Sequence, residues 1–226
     1  MITSLLSSLH LKEYLSFDLE TTGLNHSKDK ITEIALCRFR DGEIVDQYTT
    51  LINPGISIPA NIVEITGITD DMVSDAPYIG DILSDIIDFI GDTPLVGHNI
   101  DFDFLFINQS CSENNITFPK VSMYDTLSLA RISIYFHNSF SLTSLCAYYK
   151  IDIEGAHRAR ADANATGILF KFLLQEIASY PIKTIQSIVA ILNNSNEVYN
   201  RKLFKDILKA SIRLNEIDGI VKSFSI

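Results

Sequence analysis

The sequence predicts an α/β protein built on a mixed five-stranded sheet flanked by helices. Three observations carry that expectation. Three strand-like segments follow one another within the first 53 residues, and shorter apolar strands then alternate with helical periodicity. The chain has 226 residues, of which 46% are hydrophobic, so it can bury the core such a sheet needs. Sequential strands followed by alternating strands and helices imply antiparallel pairing first and parallel pairing after it.

Each element has its own signal. Residues 14–20, YLSFDLE, form the first strand, and ITEIALCRFR (31–40) and EIVDQYTTLIN (43–53) form the second and third. Asp41-Gly42 between the last two reads as a hairpin turn. PANIVEITGITDDMV (59–73) reads as short helical turns broken at Gly67. In residues 77–91, Ile79, Ile82, Leu83, Ile86, Ile87 and Ile90 make a helical stripe that stops at Gly91. PLVGHN (94–99) is a short buried strand, 102–114 is helical and KVSMYDT (120–126) is the fifth strand. Helical segments follow at 125–135, 141–151 and 160–180. Pro181 marks a boundary, dividing a body of residues 1–180 from a helical extension of residues 181–226.

The net charge is −10, but it is unevenly spread. The extension is +3 and the body −13. A nucleic-acid binder is usually basic, so a body this acidic needs metal cations if it handles phosphates. Cys37, Cys111 and Cys146 are far apart in apolar surroundings, which fits buried thiols rather than a disulfide framework or a zinc site. The N-terminus has no basic stretch followed by a long apolar one, and no apolar run approaches a membrane span. The expectation is a cytoplasmic protein.

The first strand ends in FDLETTG, with two carboxylates one residue apart. Period-two alternation puts Asp18 and Glu20 on one face, where they repel unless solvated or bridged by a cation. Asp101 and Asp103 follow the fourth strand near a helix start, where either acid could simply favour the helix dipole. His157 and Asp162 are separated by five residues, about 500° of helix, and so lie about 140° apart on a continuous helix. They meet only if His157 precedes the helix on a loop that curls back, which Gly155 permits. In the inferred sheet these acids can converge on one edge. Clustered carboxylates suit Mg²⁺, and two such ions about 4 Å apart can stabilise both the attacking and the leaving oxygen of phosphoryl transfer. An imidazole at His157 would then accept the proton of the attacking water.

These stretches resemble the DEDDh 3′–5′ exonucleases: FDLETTG the first motif, HNIDFD the second and HRARAD the third. NPGISIPANIVEITGITDDMV is similar to the corresponding linking segment of replicative proofreading exonucleases. The nearest likeness is to the epsilon proofreading subunits of bacterial DNA polymerase III and related exonuclease domains, over roughly residues 13–175. The resemblance implies a ribonuclease H-like fold for an exonuclease domain of residues 1–180. It implies that Asp18, Glu20, Asp103 and Asp162 hold two divalent ions, Mg²⁺ or Mn²⁺, with His157 as general base, and it selects Asp103 over Asp101. It further implies that Thr21, Thr22 and Gly23 approach the terminal nucleotide of a single-stranded DNA 3′ end, with Leu24 and Phe102 against its base. His98 and Asn99 would shape the pocket.

Leu24 and Phe102 have an alternative reading as ordinary core, and Asp125 reads as a helix cap rather than a ligand. The basic stripe Arg201, Lys205, Lys209 and Arg213 is open to three roles: docking a polymerase catalytic subunit, contacting DNA, or packing back on the domain. Two further functions compete with proofreading. One is RNA 3′ trimming of the RNase T or oligoribonuclease kind. The other is a non-catalytic polymerase-binding module, which predicts that at least one of the five catalytic positions is lost; all five are filled.

Overall fold

β1 (Glu13–Thr21) runs through the middle of the sheet, and its burial explains the rest. The computed structural model describes residues 2–134, 136–153, 155, 157–195 and 199–223, leaving aside the side chains of residues 2 and 214–223. β2 (Ile31–Arg40) and β3 (Glu43–Leu51) add antiparallel on one side of β1. β4 (Leu95–Gly97) and β5 (Met123–Asp125) add parallel on the other, giving the order β3-β2-β1-β4-β5. The mixed five-stranded sheet is the one the sequence predicts.

Helices cover both faces of the sheet, so Tyr14 to Phe17 of β1 are buried in succession although apolar and polar residues alternate along the strand. Leu15, Phe17 and Leu19 pack with α4 (Ile79–Ile90) and α5 (Ile100–Glu113) through Leu83, Ile86, Ile90 and Ile107. Tyr14 faces the other way, with Phe39 and Phe170. It meets α8 (Ala159–Ala178), donating from its hydroxyl to the Gly167 carbonyl at 3.0 Å. Between these elements lie α2 (Ala60–Thr66) and α3 (Asp70–Val73), split as expected at Gly67, and then α6 (Thr126–Ser133) and α7 (Leu142–Tyr149).

Some features go beyond the sequence reading. α1 (Ile2–Ser8) buries Leu6 and precedes a buried Leu9, although no capping signal marked it as a helix. β4 and β5 are only three residues each, half the length of the apolar segments that suggested them. α9 (Ile182–Asn193) and α10 (Arg201–Ser223) follow Pro181. Their Ile185, Leu203, Phe204 and Ile207 are buried in the same core as Tyr14 and Phe170. Packing back on the domain, one of the three roles open to this segment, therefore engages these four residues. Lys205 and Lys209 remain exposed.

Asn200, fully buried, also covers the sheet's edge. Its side-chain amide donates to the Asp125 carbonyl at 2.9 Å and accepts the Asp125 N–H at 3.2 Å, standing in for a further strand on β5. The three cysteines are free and buried. Among the described residues no helix is long and apolar enough to cross a membrane.

Candidate active site

Acids arrive from three elements at the carboxyl end of β1. Asp18 and Glu20 project from the face that α8 covers, opposite Ala35 and Glu33 in register. The helix approaches closely because position 167 is glycine: a Cβ there would lie 2.1 Å from the Phe39 ring. Asp162, in the first turn of α8, is thus carried over the strand end. One oxygen each from Asp18, Glu20 and Asp162 lie within 4.8 Å of one another.

Asp103 comes from the first turn of α5 and is buried. The Leu15 N–H donates to Pro94 on the β4 side, and period two points the Leu19 N–H the same way. β4 has ended there, so Leu19 donates to Asp103 Oδ1 at 2.9 Å instead. Asp101 is exposed and accepts the Tyr199 hydroxyl. Burial separates two acids that spacing alone could not.

The electrostatics are those of a site short of positive charge. Burial raises the Asp18 carboxyl well above its ordinary range, and Asp103, Asp162, Glu20 and Glu33 push it further. Asp103 is also raised by burial, against the Leu19 hydrogen bond that favours its charged form. Glu20 is pushed up to about 7 by burial and then by Asp162 and Glu33. Burial raises Asp162 as well, opposed by the backbone and charge of His157. Oxygen donors converging with too little counter-charge are what a hard divalent cation prefers. The residues fit the metal ions expected of them.

His157 stands just before α8, as its spacing from Asp162 requires. Its backbone is left-handed, with φ 64°, after Gly155 at φ 79°. Its N–H donates to Asp162 Oδ2 at 3.2 Å, and the residue is exposed.

The other predicted residues divide by environment. Leu24 is 85% exposed, so it is not core. Phe102 is half-buried against Phe106, with ring centres 5.0 Å apart. The Thr21 hydroxyl donates to the Gly23 carbonyl at 2.6 Å, and Thr22 Oγ1 accepts the Lys30 N–H at 3.0 Å, so both shape the loop internally. Gly23 has an internal reason too, since a Cβ would lie 2.4 Å from the Asp29 carboxylate. His98 is lowered in pKa by burial and so is neutral. Its Nε2 donates to the Phe140 carbonyl at 2.9 Å, while Nδ1 lies 2.9 Å from Thr126 Oγ1, which is itself 3.1 Å from the Gly97 carbonyl. Asn99 sits at φ 66°, its N–H donating to Asp125 Oδ1 at 2.7 Å. Asp125 also caps α6, accepting from Leu127 and Ser128, as its position predicts.

Sequence reasoning missed Glu33 and Arg158. Arg158 donates from Nε and Nη2 to Glu33 at 3.0 and 2.8 Å, beside the acid cluster. The available signal was a lone carboxylate inside the apolar strand segment ITEIALCRF.

Comparison with known proteins places this geometry in context. The RNase_T family model, described as an exonuclease, matches residues 15–170. The chain is 37% identical over 198 residues to the DNA polymerase III PolC-type protein of Oceanobacillus iheyensis, covering 86% of this chain and 14% of that protein. Against the PolC-type protein of Bacillus subtilis it is 35% identical over 189 residues, covering 83% and 13%. The chain thus spans about one seventh of the length of these relatives. Among solved structures, Exonuclease X in complex with 5′ overhanging duplex DNA has a TM-score of 0.59 at 24% identity, covering 86% of this chain and 99% of that one. The nuclease domain of 3′hExo, a DEDDh family member bound to rAMP, has a TM-score of 0.62 at 19% identity, covering 73% and 92%. Both share the fold.

Proposed function

The chain belongs to the RNase T exonuclease family, and from that premise we propose that it is a DEDDh-type enzyme that removes nucleotides from the 3′ ends of single-stranded or frayed DNA, as a proofreading activity in replication. The observation that carries the proposal is the meeting of Asp18, Glu20 and Asp162 at the end of β1, with Asp103 behind them and His157 looped back beside Asp162. The likeness to PolC-type DNA polymerase III favours DNA over RNA as substrate and replication as the setting.

The roles follow from the geometry. Asp18, Glu20, Asp103 and Asp162 would hold two divalent ions, Mg²⁺ or Mn²⁺. Such ions supply Lewis acidity and charge neutralisation at a phosphodiester. His157 is exposed and takes the proton of the attacking water. Leu24, exposed at the mouth, and Phe102 flank the terminal base, while the backbone from Thr21 to Gly23 lies along the sugar. His98, with both ring nitrogens engaged, holds the pocket wall and moves no proton. Asn99 does the same through its backbone. Docking on a polymerase through residues 181–226 would use the exposed basic face of α10, since Leu203, Phe204 and Ile207 are buried within the domain.

The test is release of label from single strands carrying it at one end. With Mg²⁺, 3′-labelled DNA should give labelled mononucleotide at once, 5′-labelled DNA should give a ladder that shortens stepwise, and RNA should be cut more slowly. Excess EDTA should stop all of it. Undiminished cleavage in EDTA, or attack from the 5′ end, would sink the reading, and faster RNA cleavage would move it to RNA trimming.

A further inference from the structure

We propose that Glu33 and Arg158 form a clamp whose task is to position His157 for proton transfer, an inference that rests on the exonuclease reading above. Glu33 lies on β2 directly across from Glu20, and its side chain is 4% exposed. By place alone it would be one more acid of the cluster. Its oxygens are, however, already engaged. Oε1 accepts from Arg158 Nη2 at 2.8 Å, while Oε2 accepts from Arg158 Nε and from the Ala159 N–H, each at 3.0 Å. A carboxylate filled in this way serves the protein's own backbone.

Which part of the backbone it serves decides the matter. Ala159 is the first residue of α8, and Arg158, the residue before it, makes no capping bond with its own side chain. Glu33 therefore supplies from another strand the acceptor that a helix N-terminus needs. That single anchor fixes where α8 begins. Asp162 stands in the first turn after it and His157 one residue before Arg158.

His157 needs such an anchor. A left-handed backbone at a residue with a Cβ is strained and persists only where the surroundings impose it. Two restraints are visible: its N–H on Asp162, and the neighbouring Arg158–Ala159 unit on Glu33. The second ties the loop to a strand that is hydrogen-bonded on both sides, between β1 and β3. Stability is a poor reason for such a pair, because Arg158 is 40% exposed and an ion pair open to solvent contributes little. Bidentate geometry gives direction, which a lysine cannot reproduce.

The experiment is a double-mutant cycle on a 3′-labelled DNA single strand with Mn²⁺. Arg158→Lys keeps the charge at a partly exposed position and loses the fork, and Glu33→Gln breaks the pair from the other side. Each should lower kcat by about 10- to 100-fold, the scale of an ångström-level misplacement of a reacting group. KM for the strand and the thermal shift produced by Mn²⁺ should stay within twofold and a degree or so of wild type. In a His157→Ala background neither substitution should lower kcat further, because groups that act as one unit are not additive.

An equal loss in that background overturns the clamp and shows that the pair acts on the acid cluster instead. A raised KM with unchanged kcat also overturns it and makes Arg158 a phosphate contact. If His157→Ala is inactive while Arg158→Lys and Glu33→Gln keep wild-type kcat, the clamp alone fails. If His157→Ala itself keeps wild-type kcat, the proposed role of the histidine fails with it.

Discussion

The two ends of β1 handle negative charge in opposite ways. At its start, Glu13 is met by two arginines from the neighbouring strand, Arg38 at 2.6 Å and Arg40 at 2.9 Å. The Arg38 hydrogen bond, more than any other influence, holds its carboxyl below the usual range. At its end, Asp18 and Glu20 share their surroundings with Asp103, Asp162 and Glu33, and their carboxyls are pushed up. One pair of strands thus carries an acid whose counter-charge is built in and acids whose counter-charge must come from outside. The first kind of charge holds the sheet together. The second kind makes the sheet unstable in proportion to how well it binds cations, which is a familiar trade at functional sites.

Substitution at the deficient end should show the largest effect and show it in two directions. Asp18→Asn keeps the shape of the side chain and removes its charge. Exonuclease activity should fall by on the order of 10⁴-fold or more, because losing a bound cation removes electrostatic stabilisation and substrate orientation together. The metal-free protein should meanwhile melt higher than wild type at pH 8, by about 2–4 °C if about 1 kcal/mol of repulsion is relieved. Activity assays and melting curves on one preparation check both. A variant that is inactive and also less stable breaks the comparison, since Asp18 would then be structural like Glu13.

The next effect is one of pH. Asp18, Asp103 and Glu20 have raised pKa values, with Glu20 at about 7. Between about pH 4.5 and 7 the folded protein therefore keeps protons that the unfolded chain has released, and stability falls as pH rises through that window. The metal-free protein should melt lower at pH 8 than at pH 5.5. Mg²⁺ should restore the difference, and its effect should be larger at pH 8, where protons no longer compete for the carboxylates. Cation at 100 times its Kd contributes about 2.7 kcal/mol, or roughly 5–10 °C. A melting temperature flat across this range, or a larger Mg²⁺ effect at pH 5.5, removes the charge deficit on which the comparison depends.

How much of this was legible in the sequence follows the same division. The strands, the Asp41-Gly42 hairpin and the Ile79–Ile90 helix were readable because period and turn chemistry are local. Asp18, Glu20 and the looped placement of His157 were readable because spacing fixes their faces. The choice of Asp103 over Asp101 came from the resemblance and not from spacing, since physically it depends on β4 stopping at Gly97 and freeing the Leu19 N–H. Glu33 and Arg158 are 125 residues apart, and no local pattern joins them. Asn200 was equally invisible: an asparagine that completes a sheet edge 75 residues upstream looks, in sequence, like any loop residue. α1 carried too few residues and no cap to declare itself.

The smallest effect tests the neutralised end. Glu13→Gln removes the counter-charge of Arg38, which stays half-buried with hydrogen bonds to Thr93 and Phe89 and its guanidinium 4.8 Å from the Phe89 ring. Arg40 is 57% exposed and loses little. The cost should be about 1–2 kcal/mol, between the worth of an exposed pair and that of a charged hydrogen bond, which lowers the melting temperature by roughly 2–8 °C. The sign with pH is opposite to that at the other end. A depressed carboxyl contributes stability above its ordinary pKa and loses it only as pH falls below that value. The deficit should therefore be constant from pH 5.5 to 8, where the wild-type protein itself is losing stability from the acid cluster. Activity should stay within about twofold of wild type: five residues of strand separate Glu13 from Asp18 by about 17 Å, beyond the screening length of about 8–10 Å in ordinary buffers. Parallel melting curves and rates decide it. If kcat falls together with the melting temperature, the two ends of β1 are mechanically coupled, and the division between structural and functional charge does not hold.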